Sequence, residues 1–171
     1  MHPYLGAYLR PIVLVHVLSA FAFVLLHGPS VFAMMMLRTE RELAKVQTLL
    51  TISRRSSEMS WGAWSFLALS GLLLAAAEHT WTRPWVWGSI LVMILLSGAM
   101  SAAAARAFNE ARGAAGLPWF DGRGMRAPGP IVRADLDAAL AKIRGRTPAL
   151  MIGGVAGLGV LIWMMVTRPA F

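Results

Sequence analysis

The chain has 171 residues, 57% of them hydrophobic and only 14% charged, and its 16 Lys and Arg against 8 Asp and Glu leave a formal net charge of +8. That balance is too apolar for an ordinary water-soluble domain. The absence of cysteine excludes disulfides, thiolate metal ligands and cysteine nucleophiles.

Residues 1–10 read as a short outer tail, with Tyr4 and Tyr8 at headgroup level, where amphipathic rings settle. Residues 11–37 follow as 27 positions without Lys, Arg, Asp or Glu, bounded by Arg10 and Arg38. About 20 apolar residues cross a bilayer, so this run spans it with some tilt. It is too long for a signal-peptide core and is expected to stay as an anchor. Pro11 suits the first turn of its helix, where a missing N–H costs nothing.

This first span carries His16 and His27. Eleven helical steps bring the two rings within roughly 20° of one face, about 16 Å apart along the axis. Pro29 frees the carbonyl of Leu25 and is expected to kink the helix beside His27. Residues 38–58 keep a helical pattern, with Leu43, Val46 and Leu50 on one side. They are expected to continue the first helix as an amphipathic stalk, breaking near residues 52–57 (ISRRSS).

Three further charge-free runs, residues 59–77, 84–105 and 147–167, reach spanning length. Trp61, Trp64, Trp81, Trp85 and Trp87 mark their interfacial belts. The third span offers the close-contact spacings Gly98-xxx-Ala102 and Ser97-xxx-Ser101, and the fourth Gly153-xxx-Gly157. Between them, residues 113–130 are rich in Gly and Pro and are expected to lack regular structure, with Trp119-Phe120 resting on the membrane surface or a partner. Residues 134–144 read as a separate short amphipathic helix, stopped by Gly145, with Val132, Leu136, Leu140 and Ile143 as its apolar stripe. It would serve as an interfacial helix or docking surface. The fourth span is expected to open at Pro148.

The expected architecture is therefore all-α, a single membrane domain with four transmembrane helices at about 11–37, 59–77, 84–105 and 148–167 and loops at 38–58 and 106–147. Of the 16 basic residues, 13 fall in those two loops, and only Arg10, Arg83 and Arg168 lie outside them. The positive-inside rule puts the loops in the cytoplasm and both termini outside. The basic charge is thus a topology signal rather than a nucleic-acid footprint.

An ionisable residue inside a span is a functional hypothesis by default. Neutral imidazole ligates haem iron, copper or a chlorin magnesium, which makes His16 and His27 candidate cofactor ligands. The alternatives are a structural histidine bonded to a neighbouring carbonyl or serine, and a proton relay. With no second helix supplying a spanning histidine, a haem would take Met93, Met100, solvent or a partner chain as its other ligand. Eleven methionines raise copper, since thioethers suit Cu(I), but Met34-Met35-Met36 point in different directions around a helix. Glu78-His79 at the outer edge is a candidate for metal binding or proton relay, against a solvated pair. No Ser-His-Asp set, HExxH or phosphate loop appears, so no enzyme is expected.

The stretch from His16 to Arg38, HVLSAFAFVLLHGPSVFAMMMLR, and the closing Met165-Val166-Thr167-Arg168-Pro169 together resemble a family of small bacterial integral membrane proteins of unknown function, distantly similar to the copper-resistance D type membrane proteins. The resemblance implies four helices over nearly the whole chain, and His16 matches the family histidine. It carries no established activity. With the charge asymmetry it leads us to expect a multi-pass protein of the bacterial inner membrane. The function expected is a non-catalytic accessory subunit of a larger redox, respiratory or photosynthetic membrane complex, with haem b or a chlorin pigment on a helix-one histidine. The rival is a small copper or metal transporter, or an independent b-type haem protein. Lipid, other membrane subunits and a second copy of the chain are the expected partners.

Overall fold

The structure is a computed structural model that describes the backbone of residues 3–169 and the side chains of residues 9–169. Four helices carry the fold: α1 (Pro3–Met36), α2 (Leu43–Ala77), α3 (Pro84–Ala114) and α4 (Arg133–Thr167). Each is long and apolar enough to cross a membrane. The protein is all-α and multi-pass, and its helices contact the lipid bilayer.

The helices pair as two hairpins, α1 along α2 and α3 along α4, and the hairpins touch each other far less than their own members do. They converge most closely at one end. There Leu37, Val46, Leu50, Ala107, Ala111, Leu136, Leu140 and Ile143 form a buried cluster drawn from all four helices or their ends. This is the end that carries residues 38–58 and 106–146, and it is called the basic end below. The largest fully buried apolar side chains, Leu50, Leu136, Ile143 and Val46, therefore sit beyond the charge-free runs, with Leu37 at the edge of one. That placement follows from the solvent. Burying apolar surface releases free energy where the alternative is water, whereas lipid tails are as apolar as leucine.

At lipid depth the helices use small residues instead. A Cβ on Gly157 would stand 2.7 Å from Leu96 Cδ2, so α3 and α4 meet there with nothing between backbone and side chain. Leu150, Gly154, Gly157 and Met164 continue that stripe along α4. Gly153 and Gly98 meet nothing within 4 Å. The α4 contact thus runs through Gly154 and Gly157, one position round from the spacing that starts at Gly153.

Several boundaries differ from those the sequence suggests. Helix α1 already runs from Pro3, so Pro11 lies inside it rather than in its first turn. The side chains of Tyr4 and Tyr8 lie outside the described residues. The stalk is not a continuation of α1, which ends at Met36. The chain turns at residues 37–42, because the Glu40 carboxylate accepts the amide N–H of Arg41 at 2.8 Å and of Glu42 at 2.9 Å. Those amides hold the Glu40 carboxyl below its ordinary range, the Glu42 amide most strongly. The amphipathic segment belongs to α2, which passes unbroken through residues 52–57. Its serines, which resemble turn formers in isolation, face α1 and are consumed in hydrogen bonds there.

The separate helix expected at residues 134–144 is the first part of α4, which continues through both Gly145 and Pro148. Leu136, Ala139, Leu140, Ile143, Thr147 and Leu150 form one continuous buried stripe, and that burial outweighs the local stop signals. Its apolar face is used in the core. Only Val132 of the expected stripe stays exposed, at 42%. Residues 113–130 are also more ordered than expected. Gly113 and Ala114 finish α3, and a two-stranded antiparallel hairpin follows, β1 (Trp119–Phe120) against β2 (Met125–Arg126), with Phe120 opposite Met125.

Candidate functional site: a histidine and serine seam between α1 and α2

Helix α2 presents a serine stripe to α1. Val46, Leu50, Ser53, Ser56, Ser60, Ala63 and Ser70 are buried at spacings of three, four or seven, the repeat that keeps one face toward a partner helix. In lipid each hydroxyl needs a partner, and α1 supplies several.

At the lower part of this seam, Ser30 Oγ lies 2.8 Å from Ser53 Oγ and 3.3 Å from Ser57 Oγ. The Ser30 amide donates to Ser56 Oγ at 3.1 Å, and Ser56 Oγ donates in turn to the Leu26 carbonyl. Leu26 and Ser30 are the two ends of an i to i−4 helical bond. A hydroxyl from α2 therefore bridges the ladder of α1 beside Pro29, the residue that cannot donate.

His16 stands higher in the seam, against α2. Its Nδ1 is 3.1 Å from the Leu67 carbonyl and 3.0 Å from Ser70 Oγ. The Ser70 hydroxyl donates its own proton to the Phe66 carbonyl at 2.6 Å. Both groups facing Nδ1 are then acceptors, so Nδ1 carries the proton and Nε2 keeps its lone pair. Gly71 makes this possible, because a Cβ there would lie 3.0 Å from His16 Cε1. Just along α1, a groove of about 310 Å³ opens between the helices, lined by Val15, Leu18, Ser19, Ala22, Ala63 and Phe66.

His27 is placed differently. Its ring stacks on Phe23, with centroids 5.4 Å apart and planes 8° from parallel. Its Nδ1 is buried and has no hydrogen-bond partner among the described residues. Both rings are half-buried, yet only His16 is anchored by a second helix.

The outer pair Glu78-His79 does not act as a unit. His79 takes a left-handed backbone, φ 55°, before the 3₁₀ turn Thr80–Thr82 and is exposed. Glu78 instead meets Arg168 at 3.5 Å, and the Arg168 guanidinium lies 5.7 Å from the Trp85 ring centroid. Among the described residues no three His, Asp or Glu side chains converge as a metal site. Met34 is buried while Met35 and Met36 are exposed, so the methionine run diverges as helical geometry requires. Met100 packs toward Gly154 within the α3/α4 hairpin.

The donor set thus suits one kind of group better than another. A tetrapyrrole needs only one axial nitrogen, and a histidine whose Nδ1–H is held by a carbonyl is the arrangement that orients such a ligand and raises its basicity.

Sequence reasoning alone does not single out Ser56, Ser70 or Gly71. The near-3.5 spacing of serines from residue 53 to residue 70 was the available signal, and it is obscured by Arg54, Arg55 and Glu58 on the opposite face. No family model, curated protein or solved structure matches the chain.

Proposed function

We propose that the chain is a non-catalytic subunit of a larger membrane assembly that holds a haem or chlorin pigment at its edge through His16, with the basic end in the bacterial cytoplasm. The observation that carries this reading is the His16 Nδ1 contact with the Leu67 carbonyl and Ser70. It fixes the tautomer, restrains the ring and leaves Nε2 as a free ligand at lipid depth. A tetrapyrrole held there would supply one-electron transfer or light absorption, and the chain's own part is to position and shield it. An apolar groove also opens along the same pair of helices, lined by Val15, Leu18, Ala22 and Phe66. His27, stacked on Phe23 and without a partner for Nδ1, is the weaker ligand.

Leu25, Ile152 and Val155, each more than 70% exposed, leave wide apolar faces on the spans for lipid or for another subunit. Thirteen basic residues on one side support the orientation. The test is purification from the native membrane in mild detergent, with reduced-minus-oxidised spectra and identification of co-purifying chains. A Soret or chlorin band that His16→Ala removes and His27→Ala retains is the expected result. A colourless protein tied to one complex would leave only the scaffold role, and a coloured protein that purifies alone would make it an independent haem protein.

A further inference from the structure

The hairpin β1–β2 is fixed at a definite depth by two separate helices. On α2, Arg54 reaches the Pro118 carbonyl at 3.5 Å and Met125 Sδ at 3.3 Å. Arg54 precedes the charge-free run at residue 59 by five residues, about 7.5 Å along a helix. On α3, Asn109 Oδ1 accepts the Phe120 amide at 3.3 Å. Asn109 lies four residues past the end of the run at residue 105, about 6 Å along the axis. The headgroup layer of a bilayer is roughly 5–8 Å thick on each side. Both tethers therefore put the hairpin beside that layer.

What the hairpin exposes there is distinctive. Strand alternation turns Trp119 inward, onto Gly113, and Phe120 outward. Phe120 and its cross-strand partner Met125 are 47% and 51% exposed, an apolar pair on one face of a two-residue ribbon. Arg123 at the turn and Arg55 on the neighbouring helix are exposed and make no ion pair among the described residues. Apolar side chains flanked by unpaired cations at headgroup depth match an anionic lipid surface in both charge and chemistry.

We infer that residues 119–126 form an interfacial anchor, in which Phe120 and Met125 dip into the leaflet at the basic end while Arg55 and Arg123 bind the phosphates of anionic lipid headgroups. The absence of native cysteine makes a clean test available. The full chain with Ala127→Cys carries an environment-sensitive fluorophore beside the hairpin, and Ala138→Cys carries it as a control further from the bilayer, nine residues before the charge-free run of α4. Each is placed in nanodiscs of phosphatidylcholine, alone or with phosphatidylglycerol, that include a headgroup spin-labelled lipid as quencher.

Quenching at position 127 is expected to rise several-fold with phosphatidylglycerol, to fall in high salt, and to stay low at position 138. Adding Phe120→Ser and Met125→Ser is expected to reduce it. The lipid comparison uses the unaltered hairpin, so it stands even if that variant folds poorly. Equal quenching at 127 and 138 in the anionic discs would overturn the inference. Quenching abolished by inorganic phosphate, but not by sodium chloride of equal ionic strength, would make this a soluble-anion site and overturn it too.

Discussion

The hydroxyl of Ser56 on α2 sits between the Ser30 amide of α1 and the Leu26 carbonyl one turn before it, linking the two helices through the backbone of one of them. Removing it leaves the Ser30 amide and the Leu26 carbonyl with a weakened partner. Ser56→Ala is expected to destabilise the α1/α2 pair by about 1 kcal/mol, within the range measured for hydrogen bonds inside membranes. Denaturation titrated with sodium dodecyl sulfate checks this. Thr48→Ala, whose hydroxyl only returns to the Ala44 carbonyl of its own helix, should cost less.

Gly71 is the floor on which the His16 ring rests. Gly71→Ala pushes a methyl group to within contact of Cε1 and forces the ring away from Leu67 and Ser70. Overpacking of this kind costs about 1–3 kcal/mol. In protein labelled with nitrogen-15 histidine, the His16 Nδ1 resonance is expected to shift while that of His27 does not. Gly62→Ala, on the same helix with nothing within 4 Å, serves as the silent control.

The α3/α4 contact makes a paired prediction. Gly157→Ala places a carbon 2.7 Å from Leu96 and should loosen that hairpin, whereas Gly153→Ala meets open space. Ala is also the better helix former, by about 1 kcal/mol. Gly153→Ala should therefore be neutral or slightly stabilising, and Gly157→Ala destabilising. The difference in thermal stability in detergent reads this out.

Arg112 is 5% exposed and has no carboxylate partner among the described residues, but its Nε donates to the Pro118 carbonyl at 2.8 Å and its Nη1 to the Leu50 carbonyl at 2.9 Å. One planar fork thus joins α3, α2 and the segment leading into β1. Arg112→Lys keeps the charge but cannot span both carbonyls. It is expected to cost about 1–3 kcal/mol for the groups left unsatisfied. Hydrogen exchange should quicken selectively in residues 117–126.

The hairpin turn carries its own pH dependence. The amides of Arg123 and Gly124, then the Arg126 guanidinium, hold the Asp121 carboxyl below the usual carboxylate range. A lowered folded-state pKa means the contribution is present above the unfolded value and is lost as pH falls through the folded one. Exchange protection of residues 119–126 should therefore persist through mildly acid pH and fail below it. Asp121→Asn should remove that dependence.

Four spans and the side that carries the basic charge were legible because both depend on composition over long windows. Turn positions were not, because they rest on single local contacts: the Glu40 carboxylate accepts two amides within the turn between α1 and α2, while Gly145 and Pro148 fail to stop α4 against a buried stripe. The support beneath His16 was also hidden, since Leu67, Ser70 and Gly71 lie more than fifty residues away in sequence. Their own spacing describes only an ordinary helix face.

The placement of the buried core has a consequence for how the molecule is assembled. Each hairpin can be threaded into the bilayer as an independent unit, held by its own serine or glycine contacts. The joint made by Leu37, Leu50, Ala111, Leu136 and Ile143 closes where water drives it, and within the spans the halves share a 3.1 Å bond from Trp64 Nε1 to Ser97 Oγ. A solute that acts through water, such as urea, should accordingly unfasten the two halves from one another at that end while leaving both inserted. The protein would then come apart as a clasp does, with its two arms still whole.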